Sequence, residues 1–116
     1  MIIIEKKLDF KLYKNNNLKI IENNIAYSIK HDKILFELGD SSFSILINNN
    51  LIEFEKESID NIFKLNNKEA SIYLKEHDLL LPVKVEEFNL NNNDNKYTIN
   101  YKIETDDEQT TIEIIL

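Results

Sequence analysis

Apolar and polar residues alternate with a period of two along most of this chain, and that pattern confines it to strands. In "YTINYKIE", Tyr97, Ile99, Tyr101 and Ile103 share one face, and Thr98, Asn100, Lys102 and Glu104 share the other. In "LIEFEKE", Ile52 and Phe54 oppose Glu53, Glu55 and Glu57. In "IIIEKKLDFKL", Ile2, Ile4, Leu8, Phe10 and Leu12 oppose Glu5, Lys7, Asp9 and Lys11. Successive side chains of a strand point to opposite faces, so each run describes a strand with one face on a core and one in water. Isoleucine and the aromatics favour this state. No window carries convincing helical spacing. "SIDNIFKLNNKEASIYLKEH" comes nearest, through Ile59, Ile62 and Phe63, but its asparagine pairs make it a poor helix.

The alternation predicts ten strands, near residues 2–13, 17–30, 33–38, 42–47, 51–57, 61–66, 69–75, 81–90, 96–104 and 109–116. Blocks of three asparagines at Asn15–Asn17, Asn48–Asn50 and Asn91–Asn93 lie between alternating runs. The chain has one glycine and one proline, Gly39 and Pro82. Asparagine tolerates positive φ and closes local turns with its side chain, so it takes the duty of glycine. Two phase flips occur inside runs. One separates Leu18 and Ile20 from Ile25, Tyr27 and Ile29; the other falls at Glu86–Glu87. A β-bulge produces such a flip, so 17–30 is read as one bent strand.

Many short strands joined by tight turns make a sandwich or a barrel. A meander bent at phase flips favours an up-and-down barrel, which removes free edges. Both ends of the chain, "MIII" and "IEIIL", are apolar on both faces. Pairing the first strand, near Ile2–Leu12, with the last, near Thr110–Leu116, would cover them. A homodimer contact at those ends is the alternative, so monomer and homodimer both stay open.

Composition excludes several function classes. At 116 residues the chain reads as one domain over 1–116, able to bury roughly two thirds of its unfolded surface without staples. The net charge is −7 and every basic residue is lysine, which argues against nucleic-acid binding and an anionic membrane surface. The apolar run at the start is too short for a signal segment, and none elsewhere reaches a membrane span. Without cysteine there is neither disulfide nor thiolate metal site. A cytoplasmic protein is the expectation. One glycine cannot build a phosphate-cradling loop, so no nucleotide cofactor is expected.

From Leu18 onward the order of features resembles the YwiB-like family, small bacterial proteins of unknown function. "IIENNIAYSIKHDKILFEL" looks like that family's strand pair, "SFSILINNNLIEFEKE" like its next hairpin, and "LPVKVEEFNLNNNDNKYTINYKIETDDE" like its long C-terminal hairpin. "KEHD" at 75–78 departs from the family's pattern. The resemblance implies a calycin-type, lipocalin-like β-barrel and brings no catalytic residues to carry over.

The candidate sites are few. His31–Asp32 and His77–Asp78 lack the third and fourth ligands that zinc needs, and read as polar turns. Glu104, Asp106, Asp107 and Glu108 gather at a hairpin tip without the spacing of a calcium loop. Glu53, Glu55 and Glu57 read as a solvated sheet face, and adjacent Glu86 and Glu87 point apart unless a bulge turns them together. No catalytic or metal residue is therefore assigned. The inward aromatics Phe10, Phe36, Phe54, Phe63, Tyr97 and Tyr101 either fill the barrel or line a cavity. Phe36, Phe54, Tyr97 and Tyr101 are the candidate ligand-binding residues, with the two tyrosines as polar handles. Two functions follow: a non-enzymatic barrel holding a small apolar or amphipathic ligand in its mouth, or a solid interaction module using its apolar ends or acidic face.

Overall fold

A computed structural model describes residues 6–48, 51–67 and 69–116. The described residues form ten antiparallel strands and no helix: β1 (Lys7–Lys14), β2 (Asn17–Lys30), β3 (Lys33–Leu38), β4 (Ser41–Asn48), β5 (Leu51–Glu57), β6 (Asn61–Asn66), β7 (Glu69–Leu74), β8 (Leu79–Asn93), β9 (Lys96–Ile103) and β10 (Thr110–Ile115). Each strand pairs with its neighbours in sequence, and β1 pairs with β10 to close the barrel. The closing ladder runs from Asp9 opposite Ile115 to Lys14 opposite Thr110. The expected pairing of first and last strands is thus present over Asp9–Lys14, while the Ile2–Ile4 part of that expectation lies outside the described residues.

The barrel is two sheets joined by two shared strands. β2 pairs with β1 through Asn17–Ala26 and with β3 through Tyr27–Lys30. β8 pairs with β7 through Leu79–Lys84 and with β9 from Val85 onward. One sheet therefore holds β2, β1, β10, β9 and β8, and the other holds β2 through β8. Bulges mark both corners where the sequence flips phase. In β2 the register skips between Ile25 and Glu22, where Asn24 has φ 60° and its N–H donates to Asp9 Oδ1 at 2.9 Å. In β8 it skips between Val85 and Glu87. An extra residue bends the strand and increases its twist, which lets one strand serve two sheets.

Glycine-poor turns are closed by residues that accept positive φ. Asn15 and Asn16 do so between β1 and β2, His31 and Asp32 between β2 and β3, and Asp94 between β8 and β9. The third asparagine block differs from expectation: Asn91–Asn93 belongs to β8. Its residues find backbone partners in Thr98, Tyr97 and Lys96, so the hairpin extends past the core and turns at Asp94–Asn95 instead. Of the second block, Asn49 and Asn50 lie outside the described residues.

The interior is apolar and supplied by every strand. Phe10, Ile45 and Ile99 are fully buried, and Leu8, Ile112 and Ile114 nearly so. Ile112 sits opposite Ile99 and Ile114 opposite Phe10, so the closing strand belongs to the core. Phe10→Ala is expected to cost about 3–5 kcal/mol, most or all of a small domain's stability, by urea denaturation. Asn24→Ala should cost roughly 1–2 kcal/mol and Asn24→Gly much less, because the bulge needs a left-handed backbone. Equal stability of the Ala and Gly variants would refute that account of the bulge.

Candidate functional site

Of the four aromatic candidates, three fall in one chain of touching rings. Phe36 stacks on Phe43 with centroids 4.9 Å apart and planes 3° from parallel. Phe43 meets Phe54 at 5.9 Å, Phe54 meets Phe63 at 6.3 Å, and Phe63 stacks on Tyr101 at 5.9 Å. Phe10 reaches Phe36 and Phe43 from the opposite sheet, at 5.8 and 5.3 Å. This chain crosses the barrel from β3 to β9, and offset or tilted pairs at these distances are favourable beyond their buried area. Tyr97 stands apart, half-buried on the same face of β9 with Ile99 between it and Tyr101. Phe43 touches three of these rings and was not among the expected inward aromatics. Its signal was present, since Phe43 and Ile45 alternate with Ser42 and Ser44.

The Tyr101 hydroxyl meets protein groups. Thr110 lies opposite Tyr101 on β10, and burial pushes the hydroxyl's pKa up to about 12. Thr110 is itself 2% exposed and accepts a hydrogen bond from Lys14 Nζ at 2.7 Å. Lys14 also donates to Asp106 Oδ2 at 2.8 Å. That bond holds the Asp106 carboxyl below its ordinary range, helped by the Glu108 N–H, which donates to Oδ1 at 2.9 Å. Asn15 fastens the same end, exchanging two 2.9 Å bonds with the Gln109 backbone. A threonine hydroxyl and a lysine thus seal the end of the barrel beneath the aromatic chain. Lys14 is 92 residues from Asp106 and 96 from Thr110, and no local pattern marks the meeting.

Two open concavities, of about 810 and 750 Å³, lie along the seven-stranded sheet. The larger follows two rows on the sheet's outside. Ser44, Glu55, Lys64, Ser71 and Pro82 are cross-strand partners in one row, and Glu53 and Asn66 pair in the other. Between them runs the buried row of Phe54, Leu65, Ala70 and Val83, whose side chains face the core. A twisted sheet is saddle-shaped, so its outside is concave along one diagonal.

The acidic ladder of β5 is balanced on this face. Lys33 lies 4.0 Å from Glu53, Lys64 lies 3.7 Å from Glu55 and Lys75 lies 3.0 Å from Glu57. Each pair is exposed, so its worth to stability is small, at about 0–1 kcal/mol. The face is therefore mixed in sign rather than acidic. Glu86, in the β8 bulge, bonds Lys102 at 2.7 Å, which lowers its pKa. The tip carboxylates also diverge: Asp106 goes to Lys14, while Glu104 accepts from the Lys84 N–H at 3.4 Å. His31 and His77 sit in turns at opposite ends of the seven-stranded sheet. No group of three or more metal-ligating side chains gathers among the described residues, and no helix there is long and apolar enough to cross a membrane.

Comparison with protein-family models, curated proteins and solved structures finds no match to this chain.

The polar seal makes stability depend on pH at both extremes. Tyr101 has a raised folded pKa, so its contribution is complete below pH 10, where an unfolded tyrosine ionises, and fades as pH rises through about 12. Tyr101→Phe should flatten the alkaline limb of the stability curve. Asp106 has a lowered folded pKa, so its contribution holds above the ordinary aspartate value of 3.8 and is lost as pH falls through the lowered one. Lys14→Met should remove that acid limb and cost roughly 1–3 kcal/mol near neutrality. Urea titrations across pH check both, and unchanged limbs would refute the seal.

Proposed function

We propose that the protein is a non-enzymatic binding module with a solid barrel, which meets a protein partner on the outside of its seven-stranded sheet. One observation carries this: the aromatic chain from Phe36 to Tyr101 occupies the interior, while the open volume of about 810 Å³ lies on the outer face. A small apolar ligand at Phe36, Phe54, Tyr97 and Tyr101 would have to displace packed rings, two of them 4% and 3% exposed. It would also have to reach Tyr101, which is buried opposite Thr110. The outer face offers lysines and glutamates side by side, with Ser44 and Ser71 hydroxyls between them. That suits a partner surface carrying both signs, where alternating charge fixes register more than it adds affinity. A cytoplasmic setting, and kinship with the calycin-type barrels of the YwiB-like family, belong to the same proposal.

Titration with a fluorescent fatty acid is expected to show no saturable binding. Native mass spectrometry of protein purified from its own host should show a protein complex and no small-molecule adduct. Lys64→Glu combined with Lys84→Glu should reduce recovery of that partner at least tenfold, ~1.4 kcal/mol, with the melting temperature nearly unchanged. A stoichiometric small-molecule adduct would overturn the proposal in favour of a ligand-binding barrel.

A further inference from the structure

The first half of β8 has one partnered edge and one open edge. Leu79–Lys84 pairs with β7, and no strand among the described residues pairs with its other side. Lys84 shows which residues face that side: its C=O accepts from the Glu104 N–H at 3.0 Å and its N–H donates to the Glu104 carboxylate. Both groups point away from β7. Backbone groups alternate sides along an antiparallel strand, so Pro82 and Leu80 face the open edge with Lys84, and Leu79, Leu81 and Val83 bond to β7. Pro82 thus stands where its missing N–H breaks no ladder bond. Leu80 is left with an outward N–H and C=O.

This edge is also the most apolar surface described. Leu79, Leu80 and Leu81 are 46%, 61% and 40% exposed. Ile59, 81% exposed, stands in the neighbouring β5–β6 turn, which the Lys75 N–H ties to the Asp60 C=O at 3.1 Å.

We propose that a second copy of the chain docks here, pairing Leu80 with the partner's Leu80 about a two-fold axis. In that register Leu80 exchanges both backbone hydrogen bonds with its counterpart, and Leu79 lies opposite the partner's Leu81. The next outward position sets Pro82, which has no N–H, against the partner's Asp78, whose N–H is already bonded to the Lys75 C=O at 3.3 Å. Neither end leaves a donor unmet, and neither can extend the ladder. The edge is self-complementary, as an isologous interface requires, and the proline with the turn confines it to one register and one partner. Four aliphatic side chains per copy round one short edge belong at the small end of specific interfaces, below about 1,200 Å² over both partners, so the dimer is reversible. A net charge of −7 on each copy opposes it, and added salt relieves that repulsion.

Sedimentation velocity of the full chain over a range of concentration and salt tests this. A monomer–dimer equilibrium that strengthens with salt is expected. Leu80→Lys should abolish the dimer with the melting temperature unchanged, because the side chain is exposed. Leu80→Pro should abolish it as well, by removing the outward N–H while sparing the bonds to β7. Leu18→Lys, an exposed leucine elsewhere at 49%, should leave the dimer intact. A wild-type monomer under all conditions, assemblies larger than a dimer, or a dimer that survives Leu80→Lys would each overturn the proposal. If Leu80→Pro fails to fold, Leu80→Lys decides alone.

Discussion

The ladder between β1 and β10 is the contact on which the rest of the structure depends. Its six rungs join the two ends of the chain and turn an open meander into a closed barrel. Without it the β1 and β10 edges would each present unpaired backbone beside large apolar side chains, Leu8 and Phe10 on one and Ile112 and Ile114 on the other, the composition that invites aggregation. With it, Ile112 and Ile114 come to lie against Phe10 and Ile99, and the interior is covered on every side. Cross-strand pairing and hydrophobic burial are supplied here by the same residues.

Closure does not abolish every edge. Because β2 and β8 each serve two sheets, each half of these strands pairs with a strand on one side only among the described residues. On β8 the protein manages this with backbone bonds between Lys84 and Glu104 and with a proline. The bulges that create the corners also create the exposed half-strands, so the division into two sheets and the open Leu79–Leu81 edge have one cause. Phe10 reaches across from one sheet to touch Phe36 and Phe43 of the other, which fills the interior there and leaves the open volume outside.

Much of the fold was legible in the sequence. Period-two alternation marked ten strands close to their observed bounds, and both phase flips marked bulges, because side-chain parity is a local property of a strand. Asn15–Asn16 was recognisable as a turn for the same local reason: asparagine accepts a left-handed backbone. Asn91–Asn93 was not, because whether a polar segment turns or pairs depends on how far its partner strand extends. The aromatic candidates were legible as inward-facing, yet their parity does not say whether the rings leave a cavity.

What the sequence determined by itself was therefore the all-β class, the number of strands, the places where they bend and the apolar character of the two ends. What only the tertiary structure decided was which groups distant in sequence meet. Lys14 reaches Thr110 and Asp106 across the closing ladder, and Glu53, Glu55 and Glu57 acquire lysines from β3, β6 and the β7–β8 turn. Those meetings depend on the twist and register of paired strands, which add up over the whole barrel, whereas alternation is set residue by residue.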